Sequence, residues 1–533
     1  MLHLLLALVL LTSSVAVGGS DAGVAARAQG QALDLLIKSG TVVDGSGSDP
    51  VVADVGIRAD RIVFIGDSGK SGVKAARTID ATGMVVAPGF IDPHTHTLED
   101  LSDPNRKSNL SYLMQGVTTV ITGNDGSSSF PVADTLQKWA RQGIGTNAGL
   151  LVGQGTIRGR VVGQDDVAPS PEQLARMKAM VAQAMDEGAW GMSTGLYYAP
   201  GSYAKTEEVI ELAKVAAERG GIYDSHMRDE GSYSIGLLGS IEETIRIGRE
   251  AKIPVHISHI KALGTDTWGK STAAIELIRK ARAEGIEVTA DQYPYTASGS
   301  SVVAALIPRW AEAGGARQLL RRIDDPADSP RIHSEMEQNL KRRNGADSIL
   351  ITGGRDKQLV GKTLAQISGE WKRGPVEAAL TIIKSQGDAS IASFNMNEQD
   401  IENFMRQDWV MTGSDGSAGH PRKYGTFPRK LRIYVYDKKL ITVPFAIRAS
   451  SAMTAQMLRI PDRGLLRAGY FADVIVYDPK TIRDAATYEH PQVLAEGMRY
   501  VIVNGKLAVE EGKYTGALAG SVLKKRGANR QSN

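Results

Sequence analysis

The chain has 533 residues, of which 42% are hydrophobic and 23% charged, and its formal net charge is +3. That length exceeds one simple core and predicts more than one domain, while near-neutrality gives no electrostatic case for nucleic acid as a partner. The absence of cysteine excludes disulfides, thiolate metal ligands and a lipid-modified cysteine anchor.

The first element in chain order is a targeting segment. Residues 4–17 are apolar, with Thr12, Ser13 and Ser14 inside the run, and Ala26-Arg27-Ala28 has the form of a cleavage site. The run is too short to span a bilayer. Residues 1–28 are therefore predicted to be a secretory signal, and the mature protein to be exported, periplasmic or secreted. No later stretch approaches the roughly 18 unbroken apolar residues of a membrane helix, so no membrane span is expected. The basic tail Leu523-Lys524-Lys525-Arg526 reads as a solvated terminus.

Residues 33–65 read as short strands. Leu35-Leu36-Ile37 and Thr41-Val42-Val43 are β-rich, Asp44-Gly45-Ser46-Gly47 is turn chemistry, and two apolar runs flank Ala59-Asp60 as in a hairpin. The same style returns near the other end, in residues 473–477 and 500–503, the latter followed by Asn504-Gly505, a tight hairpin turn. The two pieces, 29–87 and 455–520, are expected to make one small β-sandwich domain together.

Between them strand and helix alternate. Strand candidates are 85–91, 118–122, 148–152, 188–193, 221–225, 254–258, 286–290 and 409–412, and amphipathic helix patterns fill intervals such as 206–219, 241–251 and 273–283. Eight alternating units with apolar strands predict an α/β fold, a (β/α)8 TIM barrel over residues 88–454. An open doubly wound sheet would want a Gly-rich fingerprint after its first strand, and none is present there. From Asp291 to Asp415 is 124 positions, far beyond an ordinary crossover. An inserted helical subdomain or lid is expected at about residues 300–400, between strands seven and eight, over the C-terminal strand ends where barrel active sites lie.

Polar residues cluster at those strand ends. His94 and His96 follow strand one, and positions i and i+2 of an extended segment point the same way. Asp125 follows strand two, His226 strand five, His259 strand six and Asp415 strand eight. Neutral imidazoles and carboxylates suit zinc and similar divalent ions, which acidify a bound water. Asp92 reads as a turn residue, His256 as packing inside a strand, and His3, His333 and His490 as structural or surface residues.

The strings PGFIDPHTH at 88–96, STGLYY at 193–198, SHMRDEG at 225–231, SHIKALG at 258–264, DQYPYTASGS at 291–300, GSDG at 413–416 and HPRKYGTFPR at 420–429 run over nearly the whole mature chain. In them the chain resembles the amidohydrolase superfamily, and within it the D-aminoacylase (N-acyl-D-amino-acid deacylase) family. The resemblance implies a tightly held zinc on His226, His259 and the residue at position 125. It implies a second, weaker divalent site on His94, His96 and Asp415, with Asp415 also the catalytic acid/base. Lys261, Tyr293 and Arg422 fall at substrate-contacting positions, Arg422 suiting a free α-carboxylate. The implied reaction is metal-dependent hydrolysis of the amide bond of a small N-acyl-D-amino acid, giving a carboxylate and a free D-amino acid; oligomeric state is left open.

One departure stands out. The family usually has cysteine where Gly123-Asn124-Asp125-Gly126 places a carboxylate, a harder ligand that shifts metal preference away from zinc alone. Strand four ends Gly191-Met192-Ser193-Thr194, without the lysine that many superfamily members carboxylate as a metal bridge, so the bridge is placed at Asp125, the other reading of that residue being a turn aspartate beside Gly126. A dipeptidase, hydantoinase or dihydroorotase on the same scaffold is the alternative, although the cyclic-amide members rely on that missing lysine. A third reading is a barrel kept as a binding scaffold after loss of catalysis, against which stands the retention of all four histidines and Asp415.

Overall fold

The computed structural model describes residues 32–525; the predicted signal segment, 1–28, lies outside them, as does the end of the basic tail. The chain opens with β1 (Leu33–Val42), β2 (Val51–Arg58), β3 (Arg61–Gly66), β4 (Ala75–Asp80) and β5 (Val85–Pro88). Seven segments follow in an alternating strand–helix run: β6 (Phe90–Thr95), β7 (Val117–Thr122), β8 (Asn147–Leu150), β9 (Val152–Gly153), β10 (Gly191–Gly195), β11 (Ile222–His226) and β12 (Val255–Ile257). Then come β13 (Val288–Gln292), β14 (Ser298–Ser301), β15 (Ile349–Gly353), β16 (Ser390–Ser393) and β17 (Val410–Thr412), and at the end β18 (Val474–Tyr477), β19 (Met498–Val503), β20 (Lys506–Glu510) and β21 (Lys513–Tyr514).

Both chain ends contribute to one nine-stranded sheet of order β21-β20-β19-β18-β5-β1-β2-β3, with β4 beside β1. The tight turn at Asn504-Gly505 takes φ of 48° and 77° between β19 and β20, the left-handed pair that two-residue hairpins need. Residues 85–91, read from sequence as one strand, are in fact two. β5 pairs with β1 and β18 in the terminal sheet, while β6 pairs with β7. The break falls at Gly89, where a Cβ would stand 2.2 Å from Thr118 Oγ1, so only glycine lets the chain pass from one sheet to the other.

The remaining parallel strands form the sheets β6-β7-β8 and β9-β10-β11-β12-β13-β17. Their side chains are almost all buried, as expected for strands covered on both faces. The two sheets touch at both seams. Trp190 N donates to Leu150 O across the interruption at Leu151, and Thr95 and Gly416 form a parallel bridge. Amphipathic helices between the strands include Pro171–Asp186, Thr206–Ala217, Gly236–Ala251 and Ser271–Ala283. Pro171–Asp186 starts from a reciprocal Ser170/Gln173 cap with proline at its first position, satisfying amides that a helix start leaves unpaired.

Between β13 and β17 the chain builds a separate apolar cluster, including Val302, Ile332, Met336, Leu364, Ile383 and Ile391. The sequence pattern predicts helices alone in this stretch. Helices Ser329–Arg342 and Pro375–Gln386 are present, but β14, β16 and β15 add a three-stranded antiparallel sheet. Four- and five-residue strands rich in serine and glycine leave little period-2 pattern to read.

One core residue carries an energetic cost. Lys430 is 2% exposed, its Nζ donates to Thr412 Oγ1 at 2.8 Å, and burial pushes its pKa down to about 7. The unfolded chain, with a lysine pKa of about 10.4, therefore binds a proton that the folded chain sheds between pH 7 and 10. Stability conferred by the rest of the fold is eroded as pH falls through that window. Lys430→Met should raise the Tm at pH 7, on the order of 2 °C or more, with the gain shrinking toward pH 10. Thermal melts across that range check this, and a variant less stable at pH 7 than at pH 10, relative to the parent, would contradict it.

Candidate metal centre and active site

All six residues singled out as ligands converge at the C-terminal ends of the parallel strands. His94 lies on β6 with His96 just beyond it, and His226 closes β11; Asp125, His259 and Asp415 sit two or three residues past β7, β12 and β17. Nε2 of His94 is 3.4 Å from Asp125 Oδ1 and 3.7 Å from Asp415 Oδ1. Nε2 of His96 is 3.5 Å from Asp125 Oδ2 and 3.0 Å from Asp415 Oδ1. Nε2 of His259 is 3.5 Å from Asp125 Oδ1, and Nδ1 of His226 is 3.7 Å from the same oxygen. Asp125 is thus the common neighbour of all four imidazoles.

Three of these residues hold left-handed backbone: Asp125 at φ 55°, His259 at 37° and Asp415 at 46°. Aspartate and histidine enter this region more readily than most residues, yet each such residue costs on the order of 1–3 kcal/mol. The surroundings hold them there. Asp415 N donates to His94 O at 2.9 Å, Ile260 N to Asp291 O at 2.8 Å, and Gly126 N to Ser193 Oγ at 3.1 Å. Ser193 Oγ donates in turn to Gly123 O at 2.5 Å. The serine on β10, where a bridging lysine is absent, thereby fixes the loop that presents Asp125.

The donor set fits a divalent cation. Atoms of His94, Asp125, His259 and Asp415 lie within 4.8 Å of one another, and so do atoms of His226, Glu230 and His259. Both ring nitrogens of His94 and Oδ1 of Asp125 are buried without a hydrogen-bond partner, an arrangement that costs free energy unless something else satisfies them. His226 Nδ1 and His259 Nε2 face each other at 2.9 Å. Burial alone would raise the carboxyl pKa of Asp125 and Asp415. The imidazole of His94 for the first, and the Arg422 guanidinium for the second, instead hold them well below the usual carboxylate range, so both carboxylates are ionised.

Further layers support the ligands. Asp291 Oδ2 stands 3.6 Å from His94 Nδ1 and 3.0 Å from His256 Nε2. His256, read from sequence as packing, is thus joined to the site through Asp291. β12 ends at Ile257 and His259 lies in a turn, so strand alternation does not relate the two histidines. Asp92 is a strand residue rather than a turn residue. It is fully buried, accepts from the amides of His94 and Ser414 at 3.1 Å each, and burial lifts its pKa to about 7. Glu230, to which sequence reasoning gave no role, sits 3.0 Å from His259 Nδ1 and 2.5 Å from Lys261 Nζ. Its signal was the acidic pair inside SHMRDEG, its glutamate four residues after His226.

The three residues expected to contact substrate line the same cleft, whose main chamber is about 530 Å³. Arg422 Nη1 is 2.8 Å from Asp415 Oδ2, and its guanidinium lies 4.6 Å from the Tyr293 ring centre. Lys261 Nζ is 5.7 Å from that ring on another side. Among the described residues, no helix is long and apolar enough to cross a membrane.

A ligand cluster of this kind on parallel strand ends defines a metal-dependent hydrolase. The chain belongs to the amidohydrolase family, whose model matches residues 77–353 and 363–509. Within it the chain groups with the D-aminoacylases: it is 35% identical to D-aminoacylase of Alcaligenes xylosoxydans xylosoxydans, over 93% of this chain and 99% of that one. It is 34% identical to N-acyl-D-glutamate deacylase of the same organism, over 89% and 93%. A D-aminoacylase crystal structure, described as defining a novel subset of amidohydrolases, superposes with a TM-score of 0.79 at 32% identity, over 92% of this chain and all of that one. N-acyl-D-glutamate deacylase from Bordetella bronchiseptica, solved with zinc and a phosphonate mimic of the tetrahedral intermediate, gives 0.79 at 30% identity, over 93% and 100%.

Removing divalent metal with a chelator should lower the Tm, and added zinc should restore it. A hundredfold excess over Kd corresponds to roughly 2.7 kcal/mol of stability. In His259→Ala, which lacks the imidazole shared by both donor groups, the zinc-dependent shift should vanish. Thermal melts with metal analysis check this, and a parent protein indifferent to chelation would contradict it.

Proposed function

We propose that this chain hydrolyses the amide bond of N-acyl-D-amino acids. The observation that carries the reading is the convergence of His94, His96, Asp125, His226, His259 and Asp415 within reach of one another, with Arg422 against Asp415. His226, His259 and Asp125 would hold zinc, and His94, His96 and Asp415 a second, weaker divalent ion. A divalent ion there supplies Lewis-acid polarisation of the acyl carbonyl and acidification of water.

The protein's own groups do the rest. The substrate α-carboxylate docks on the Arg422 guanidinium, with Tyr293 and Lys261 beside it. Because Arg422 is already paired with Asp415, docking draws the guanidinium toward the substrate and frees the Asp415 carboxylate. Asp415 takes a proton from the attacking water and passes it to the leaving nitrogen. Tyr293 Oη is a donor for the tetrahedral oxyanion. Water adds across the C–N bond, releasing a carboxylate and a free D-amino acid.

The same reading covers the architecture and location. We take residues 88–454 as a closed (β/α)8 barrel, supported by the contacts at both sheet seams. Residues 29–87 and 455–520 are taken as a small β-sandwich domain, with the insertion at about 300–400. Residues 1–28 are taken as a signal that directs export to the periplasm or beyond. The cyclic-amide alternative is disfavoured because Ser193 on β10 anchors the Asp125 loop where the bridging lysine would be needed.

Asp415→Asn should lower kcat by at least about 10²-fold while metal stays bound at His226 and His259. Near-normal kcat in that variant would exclude Asp415 as the acid/base. A panel of N-acetyl-D-amino acids, N-acetyl-L-amino acids and a hydantoin tests the reaction class, and turnover of the cyclic substrate alone would favour the alternative.

A further inference from the structure

Among the described residues four arginines are buried: Arg158, Arg343, Arg422 and Arg463. Three have a carboxylate, namely Glu208 for Arg158, Asp415 for Arg422 and Asp473 for Arg463. Arg343 is 2% exposed and has no ion pair among the described residues. Its Nη2 donates to Tyr197 Oη at 3.2 Å, one edge faces the Asn395 amide at 3.3 Å, and Nε has no partner. Its guanidinium carbon lies 5.8 Å from the Tyr233 ring centre, a contact that offsets little of the cost of taking a guanidinium out of water without an anion.

Its position supplies the reason. Arg343 follows the helix Ser329–Arg342 of the insertion and lines the narrow inner end of the cleft, together with Tyr233, Lys261, Tyr293 and Ser300. Two more hydroxyls there, Tyr233 Oη and Ser300 Oγ, are buried without partners. Lys261 is already neutralised by Glu230, and Arg422 by Asp415, so Arg343 is the cation in this end of the cleft with charge to spare. The space is about 20 Å³, room for about one water-sized group. That end opens into the main chamber at Gly299, Ser300 and Asp415, so a side chain reaching in from the chamber brings only its terminal group toward Arg343, and a long apolar side chain is not accommodated.

We infer that Arg343 receives a second carboxylate of the substrate, on the D-amino-acid side chain, so that the preferred substrates are N-acylated acidic D-amino acids, D-glutamate or D-aspartate. This rests on the deacylase reading and adds the substrate class. Arg422, from the end of the eight-stranded run, holds the α-carboxylate; Arg343, from the insertion, selects the side chain, with Tyr233 and Ser300 as further donors.

The test compares N-acetyl-D-glutamate and N-acetyl-D-aspartate with their neutral amides, N-acetyl-D-glutamine and N-acetyl-D-asparagine, on the metal-loaded enzyme. The acidic member should be favoured in kcat/KM by roughly 10- to 100-fold. Arg343→Gln should erase that ratio mainly through KM, losing far more on the acid than on the amide, and Arg343→Lys should recover part of it. Because an unpaired buried charge is removed, the Tm of Arg343→Gln should be unchanged or higher, which separates a recognition role from a structural one. D-Glutamate should raise the Tm of the parent and not of Arg343→Gln, a readout that needs no turnover. Equal rates on acid and amide, an equal loss on every substrate in Arg343→Gln, or a D-glutamate shift that survives the substitution would each overturn the inference. Hydrolysis of neutral N-acyl-D-amino acids in those cases would leave the deacylase reading standing, whereas failure on every N-acyl-D-amino acid would fall on that reading instead.

Discussion

Both ring nitrogens of His94 and one oxygen of Asp125 are buried with no hydrogen bond, and the facing nitrogens of His226 and His259 approach to 2.9 Å. Polar atoms taken out of water without a partner are unfavourable individually and more so together. A divalent cation would take up the atoms that face it, namely His94 Nε2, Asp125 Oδ1 and the facing nitrogens of His226 and His259, while His94 Nδ1 stays turned to Asp291. The fold therefore assembles a cluster that is stable only as a ligand set, and its metal affinity and folding stability draw on the same free energy.

Parallel strands make that assembly possible. Each delivers one or two side chains to the same rim, and the residues just past the strand ends are free to leave regular geometry. Asp125, His259 and Asp415 use that freedom, with φ between 37° and 55°, and local hydrogen bonds hold them against their backbone preference. Behind them, the chain from His256 through Asp291 to His94 fixes an imidazole whose other nitrogen faces the cleft. Such outer partners orient a ligand and raise its basicity. Ser193 acts from another strand by pinning the Asp125 loop, so the carboxylate at position 125 comes with a loop held in place for it.

Much of this was legible in residue order. The histidine pair at the end of an apolar run, and single acids or histidines after later runs, located the ligands because strand ends in a parallel array must meet. What sequence periodicity could not reveal were features set by contacts between distant segments. Gly89 divides one apolar run between two sheets because of Thr118, a residue far along the chain. Glu230 and Asp291 stood inside the strings that marked the site, yet their roles depend on Lys261, His259 and His256, which only the fold brings to them. Arg343 gave no signal at all, since an arginine after a polar helix reads as a solvated cap until its burial is seen.

Charge balance in the cleft links these parts. The ionisable acids and permanent cations lining it are Asp125, Asp415 and Glu230 against Lys261, Arg422 and Arg343, which balance when the imidazoles take the neutral form that binds metal. A single divalent cation on the imidazoles and Asp125 leaves the cleft doubly positive in a region of low dielectric, where such an excess is strongly felt. A substrate with one carboxylate offsets half of that excess, and one with two carboxylates offsets all of it. The field that draws the substrate in is therefore strengthened by the same ion that the chemistry requires.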